Sequence, residues 1–239
     1  MNTRKVNAKQ CKMVAHRGCS GLEKENTLAA FIAAGNRSYW GVETDVHRTA
    51  DGEYVVIHDS ETGRVAGDNI VIENTSFEYI RSLRLKDIDG TRTRADLRIP
   101  TLREYIAICK KYEKNCVLEF KTVYTLEQVA EMVEIIKEEG WLEHVVFISF
   151  AYDNLLNLRK ILPGHPAQFL TGEYTDAMVE MIHKDKIDLD IYFSALDEEK
   201  IKHLHDLGII VNAWTVDDPE KAQQLIDWGI DYITSNICE

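Results

Sequence analysis

Apolar and polar positions along the chain fall into short runs whose period switches repeatedly between two and about 3.6. Residues 12–15 read as a strand ending in His16-Arg17-Gly18, and Asn26-Thr27 opens an amphipathic helix over 28–34 that Gly35 closes. Residues 42–47 alternate with period two. That places Glu43, Asp45 and His47 on one strand face, with neighbouring Cα atoms on that face ~7 Å apart. Asp51-Gly52 is a hairpin dipeptide leading into the β-branched run Tyr54-Val55-Val56-Ile57 and then His58-Asp59. Residues 60–100 are polar and turn-rich, with one helical piece at 77–83. Excursions of this kind often sit over a functional face.

From Pro100 onward the rhythm is steady. Helices are predicted over 102–112, 126–139, 154–161, 176–183, 198–207 and 217–228. Between them lie strands at 115–120, 144–150, 167–170, 189–193, 209–214 and 232–233. With the strands near residues 13 and 43 this makes eight main strands separated by helices, the alternation of a parallel sheet. The length of 239 residues suits a TIM (β/α)₈ barrel of one domain spanning 1–239. Residues 1–11 form a polar leader, and about 60–100 form a small insertion after strand two. An open doubly wound sheet is the alternative, but no G-x-G-x-x-G follows the first strand.

Composition narrows the partners. The net charge of −12 disfavours broad attraction to nucleic acid or an anionic membrane. No run approaches the ~20 apolar residues of a membrane-spanning helix, and the polar start lacks a signal-peptide core, so the expected location is the cytoplasm. The five cysteines are widely spaced with no C-x-x-C, and disulfides are not expected. Cys19, near the strand-end residues, reads as a small loop filler.

In a barrel the strand C-termini carry the chemistry. There the sequence places His16 and Arg17, Glu43 and Asp45, His58, Glu119 and Lys121, Ser149 and Trp214. Three carboxylates without thiolates suit a hard cation, Mg²⁺ or Ca²⁺, with Mn²⁺ as a third candidate. His16 and His58 supply a base and an acid near neutral pH. Arg17 offers a fork for phosphate and Lys121 a second positive charge. A cation flanked by Arg and Lys is a clamp for a phosphoryl group. His47 lies farther along the face of Glu43 and Asp45 and reads as a supporting residue. His144, His165, His183, His203 and His205 read as surface residues.

The motifs V-A-H-R-G, E-N-T-L-A-A-F, V-E-T-D-V, D-G-x-x-V-V-I-H-D, I-P-T-L, L-E-F-K and A-W-T-V, in this order, resemble the glycerophosphodiester phosphodiesterase family. The resemblance covers about residues 14–234 and implies a TIM barrel that hydrolyses glycerophosphodiesters, such as glycerophosphocholine or glycerophosphoethanolamine, to glycerol 3-phosphate and an alcohol. It implies His16 and His58 as the catalytic pair and Glu43, Asp45 and Glu119 as ligands of a divalent metal. Arg17 and Lys121 would bind phosphate, and Trp214 would line the pocket. The sequence departs from the family pattern at Lys24, where P-E-N-T is usual, and at Ser235, where I-T-D is usual. Two rivals are a lysophospholipase D-like phosphodiesterase, which needs an apolar surface at the barrel mouth, and a non-catalytic phosphoester-binding barrel. The arginines and lysine at 81, 84, 86, 92, 94 and 98 favour a small soluble substrate. A carboxylate-pair glycosidase would not need the histidines or Arg17.

Overall fold

Each apolar run predicted as a main strand forms one, and the eight close on themselves. The computed structural model describes residues 2–239. Its parallel strands are β1 (Lys12–Ala15), β2 (Gly41–Arg48), β4 (Asn115–Phe120), β5 (Val145–Ser149), β6 (Ala167–Thr171), β7 (Asp188–Tyr192), β8 (Val211–Trp214) and β9 (Tyr232–Ser235). Their order is β1-β9-β8-β7-β6-β5-β4-β2, and pairing of β1 with β2 completes a TIM barrel. The hairpin strand β3 (Tyr54–Val56) runs antiparallel to β2, with Val46 opposite Val56.

The helices are α1 (Leu28–Gly35), α2 (Phe77–Ser82), α3 (Leu102–Lys111), α4 (Leu126–Glu138), α5 (Tyr152–Ile161), α6 (Asp176–Asp185), α7 (Glu198–Asp206) and α8 (Pro219–Asp227). Thr101 and Thr125 close capping boxes with Glu104 and Gln128, which fixes where α3 and α4 begin. Two starts differ from the sequence reading because the expected opening residue has other work. Asn154 lies inside α5, where its side chain bridges Thr122, Ser149 and Tyr124. Asp217 stays outside α8, which Asp218 caps, and binds Asn236 instead.

Side chains such as Val42, Val46, Leu118 and Phe147 point outward from the strands and pack under the helices. The barrel interior is filled at its lower levels by Val14, Val117, Val146, Leu170 and Tyr232. The segment read as a polar excursion has a core of its own: Val55 and Ile57 pack with Val65, Ile72, Ile80, Leu85, Leu97 and Ile99. Its apolar residues follow neither helical nor strand spacing, which hid them from periodicity. Several of its cations are spent on the barrel body, with Arg81 paired to Glu104 of α3 at 2.7 Å and Arg94 to Glu23 before α1 at 2.6 Å. The leader pairs with the chain's end, Arg4 N–H donating to the Ile237 carbonyl and Glu239 N–H to that of Arg4. His165 is not a surface residue: it is half-buried on Phe147 with Nε2 2.8 Å from the Val145 carbonyl. All five cysteines are buried and unpaired.

Asp188 marks a cost at the opposite end of the barrel from the strand C-termini. Burial pushes its pKa up from 3.8 to about 6, although it accepts the Ile210 N–H at 3.0 Å. A folded-state pKa above the unfolded one means the folded chain binds the extra proton between pH 3.8 and 6, so stability falls as pH rises through that window. Asp188→Asn keeps the acceptor without the charge. Denaturant melts are expected to show it about 1–2 kcal/mol more stable than wild type at pH 7.5 and indistinguishable near pH 4.

Candidate active site

The period-two alternation of β2 turns Glu43 and Asp45 into the barrel, and parallel register sets Asp45 beside Glu119 of β4. Carboxylate oxygens of Glu43, Asp45 and Glu119 lie within 4.8 Å of one another, and all three residues are buried. Such crowding is unfavourable without positive charge between the oxygens. Burial, reinforced by Asp45, pushes the Glu119 pKa up to about 8. Burial, with Asp45 and Glu119, pushes Glu43 well above the carboxylate range. Burial alone would raise Asp45 as well, but Lys121 and Arg17 outweigh it and hold that group well below its ordinary value. Lys121 Nζ sits 2.9 Å from Glu119 and 3.4 Å from Asp45, so its ammonium rests on the carboxylates. Asn26, read as part of a helix opening, donates to Asp45 at 2.7 Å and accepts from Thr44 at 2.9 Å.

The turn after β1 supplies a histidine and an arginine. Arg17 adopts a left-handed φ of 54°, followed by Gly18 at φ 76°. The Arg17 N–H donates to Glu43 at 2.8 Å, its guanidinium pairs with Glu25 at 2.9 Å, and its buried Nε, 3.5 Å from Asp45, has no hydrogen-bond partner among the described residues. A Cβ on Gly18 would lie 2.7 Å from the backbone of Ala30 in α1. Gly18→Ala is therefore expected to cost about 2–4 kcal/mol in denaturant unfolding, combining left-handed strain with the clash.

The two histidines are held differently. His16 Nδ1 is 2.7 Å from Asn236 Oδ1, and Asn236 is oriented by donating to Asp217 at 2.6 Å. The amide therefore accepts from Nδ1–H and leaves Nε2 as the free base, 4.0 Å from Glu43. Burial and the adjacent Arg17 lower the His16 pKa to about 4. His58 Nδ1 instead faces a carboxylate, Asp59, at 2.7 Å. Burial still lowers the His58 pKa, opposed by Asp45 and Asp59. Arg64 of the insertion grips Asp59 at 2.6 Å and Glu25 at 2.7 Å, so an ion-pair chain runs His58–Asp59–Arg64–Glu25–Arg17. His47 supports this arrangement with Nε2 3.2 Å from the His58 carbonyl.

His16, Arg17, Glu43, His58, Glu119 and Trp214 line an inner cavity of about 90 Å³. His16 and Arg17 also border an open outer cleft of about 670 Å³ that includes Glu25 and Asp217. At the rim, Phe150 and Tyr192 flank Trp214 with ring centroids 5.6 Å away, and both are exposed.

Comparison with known proteins places this geometry. The profile of the Glycerophosphoryl diester phosphodiesterase family matches residues 16–238, the span that holds His16, Arg17, His58, Lys121 and the carboxylate trio. The chain belongs to that family. A glycerophosphodiester phosphodiesterase of Caldanaerobacter subterraneus is 29% identical over 230 residues, covering 94% of this chain and 93% of the relative. A phosphodiesterase of Oleispira antarctica, solved in complex with the product sn-glycerol-3-phosphate, superposes with a TM-score of 0.87 at 26% identity, covering 98% of this chain and 96% of that one. A glycerophosphodiester phosphodiesterase of Thermotoga maritima superposes at 0.76 with 27% identity, covering 95% and 94%.

This glycerophosphodiester phosphodiesterase is thus an enzyme whose strand ends carry three buried carboxylates able to hold a metal ion. Sequence reasoning missed the residues that orient the histidines, Asp59 and Asn236, and the Glu25–Arg64 link between them. Asp59 and Glu25 had a signal, since each sits inside a motif already singled out, H-D and E-N-T. Asn236 and Arg64 had none, because only the folded barrel brings them to the site.

Proposed function

We propose that the enzyme hydrolyses glycerophosphodiesters such as glycerophosphocholine and glycerophosphoethanolamine to glycerol 3-phosphate and the free alcohol, with a divalent cation and a histidine acid/base pair. The observation that carries this reading is the convergence of two differently supported histidines, Arg17, Glu43 and Glu119 on one cavity, with Asp45 completing the carboxylate trio beside them. The Oleispira antarctica phosphodiesterase, with its sn-glycerol-3-phosphate product, supports the choice of substrate.

The donor set fits a hard cation. Oxygens of Glu43, Asp45 and Glu119 lie close together and buried, repelling one another, and no sulfur or imidazole stands among them. Mg²⁺ or Ca²⁺ (or Mn²⁺) bound there would supply a Lewis acid against the phosphoryl oxygens. Arg17 orients the phosphate, its Nε making no hydrogen bond among the described residues although it lies 3.5 Å from Asp45. Lys121, on the same carboxylates, adds positive charge beside the phosphoryl group. His16, neutral and with Nε2 free, takes the proton of the attacking water or of the substrate's own 2-hydroxyl. His58, whose Nδ1–H is held by the Asp59 carboxylate, gives its Nε2 proton to the leaving alkoxide. Trp214 walls the cavity.

Residues 1–239 are read as one phosphodiesterase domain, since the leader pairs with the chain's end and the insertion's core includes Val55 of β3. The five unpaired cysteines support a cytoplasmic setting. No described helix is long and apolar enough to cross a membrane.

The exposed aromatic rim of Phe150 and Tyr192 favours a second reading, cleavage of lysophospholipid head groups. Product analysis separates the readings. Incubation with glycerophosphocholine should yield glycerol 3-phosphate and choline in equal amounts. Release from lysophosphatidylcholine alone would favour the second reading, and tight binding with no product from either would mean a non-catalytic barrel.

A further inference from the structure

We infer that Asp190 is a specificity-determining residue that accepts a hydrogen bond from the terminal hydroxyl of the substrate's glycerol end, at the floor of the inner cavity. This rests on the phosphodiesterase reading above and extends it to the question of which end of the diester enters the barrel.

Asp190 lies on β7 between Leu170 of β6 and Asn212 of β8, with its residue 1% exposed. Its Oδ1 has no hydrogen-bond partner among the described residues. The polar groups beside it are engaged with one another: Asn212 donates to Gln168 at 3.2 Å, and Thr234 donates to Asn212 at 3.2 Å. A buried carboxyl left out of such a network is costly to the fold. In native interiors such a group is completed by a ligand, an ion or an ordered water.

The cavity that Asp190 lines shows what would complete it. Leu170, Ile148 and Trp214 give it apolar walls, and His16, Arg17 and Glu119 line it together with Asp190. Its volume of about 90 Å³ is that of about three water molecules at ~30 Å³ each. That suits a three-carbon polyol, whose C–H edges meet the walls and whose hydroxyls can donate. A phosphate oxygen cannot donate to the Asp190 acceptor and is drawn instead to the Arg17 cation. His16 and Arg17 border both this cavity and the outer cleft, so a phosphate held at their junction sends one ester arm inward and the other out. The small arm fits inside and the alcohol of variable size fits the open cleft. The 2-hydroxyl, one bond nearer the phosphate, stays near the histidines, and the terminal hydroxyl reaches the floor. Whether Asp190 is ionised does not matter, since a carboxyl keeps an acceptor oxygen in either state.

The test compares glycerophosphocholine with its analogue lacking the terminal hydroxyl, phosphocholine esterified to 1,2-propanediol. Wild type should favour the full polyol about 10- to 100-fold in kcat/KM, the range for a site built around a substrate hydroxyl. Asp190→Leu should bring that ratio to within about threefold of unity, and Asp190→Asn, which retains an acceptor oxygen, should keep part of it. Thermal melts should show Asp190→Leu no less stable than wild type, since it removes an unpaired buried carboxyl. A wild-type ratio near unity, or the wild-type ratio persisting in Asp190→Leu, would overturn the assignment alone. Should Asp190→Leu fail to fold, the same ratio in Asp190→Asn decides: an unchanged value overturns the assignment and a reduced one supports it. Wild-type protein inert toward both diesters would overturn the phosphodiesterase reading beneath it.

Discussion

Replacing His16 with alanine is expected to lower kcat for glycerophosphocholine about a thousandfold, within the range for losing a positioned general base, while the melting temperature stays within a few degrees. The side chain is partly exposed to the cavity, and its one short hydrogen bond is to an amide that Asp217 and Ser20 also hold. Little of the fold depends on the ring, whereas its free Nε2 has no substitute on that wall. His58→Ala should be comparably damaging, but the two positions differ in pH dependence. His58 must carry a proton to act as the acid, so activity falls as pH rises through its pKa in the complex. Asp59 stabilises the imidazolium, and Asp59→Asn should move that alkaline fall to lower pH, with the loss concentrated in kcat rather than KM. A profile unchanged by Asp59→Asn would assign the proton donor elsewhere.

The second large effect concerns the carboxylates. Glu43→Gln is expected to weaken divalent-cation affinity, measured by calorimetry, and to lower turnover by at least about a hundredfold at a fixed, limiting cation concentration. In the ion-free protein the same change should raise the melting temperature by a few degrees. Three buried carboxylates whose oxygens lie within 4.8 Å repel one another, with Lys121 and Arg17 as the nearby cations, and glutamine removes one member while keeping its shape and an acceptor for the Arg17 N–H. More stable yet less active is the signature of a site built for a cation. A Glu43→Gln protein that melts lower and turns over normally would mark the cluster as structural.

The barrel and the carboxylate trio were legible in the sequence because both follow from local periodicity. Alternation along 42–47 turned Glu43 and Asp45 to one face, and the barrel's rule about strand C-termini brought Glu119 alongside. What escaped was set by long-range closure. Arg64 reaches Glu25 across 39 positions, and Asn236 meets His16 across 220, so no spacing rule connects them. The insertion's small core escaped for the opposite reason: its apolar residues are close in sequence but irregularly spaced, as in a segment with little regular secondary structure. Asp190 was invisible as a site residue because a lone aspartate in an apolar strand carries no motif. What marks it is a buried Oδ1 that, once folded, has no hydrogen-bond partner among the described residues. Lys121 was expected at the phosphate, and its ammonium lies on Glu119 and Asp45, within the same cluster.

Turnover of glycerophosphocholine by ion-stripped enzyme, followed as Mg²⁺ or Ca²⁺ is titrated back, tests most directly whether the histidines and the carboxylate trio form one metal-dependent phosphodiester centre. Glycerol 3-phosphate release should be at least about a thousandfold slower without the ion, and should recover in a single saturating phase that Glu43→Gln shifts to higher ion concentration. Full turnover in excess chelator, with no ion retained by elemental analysis, would contradict it.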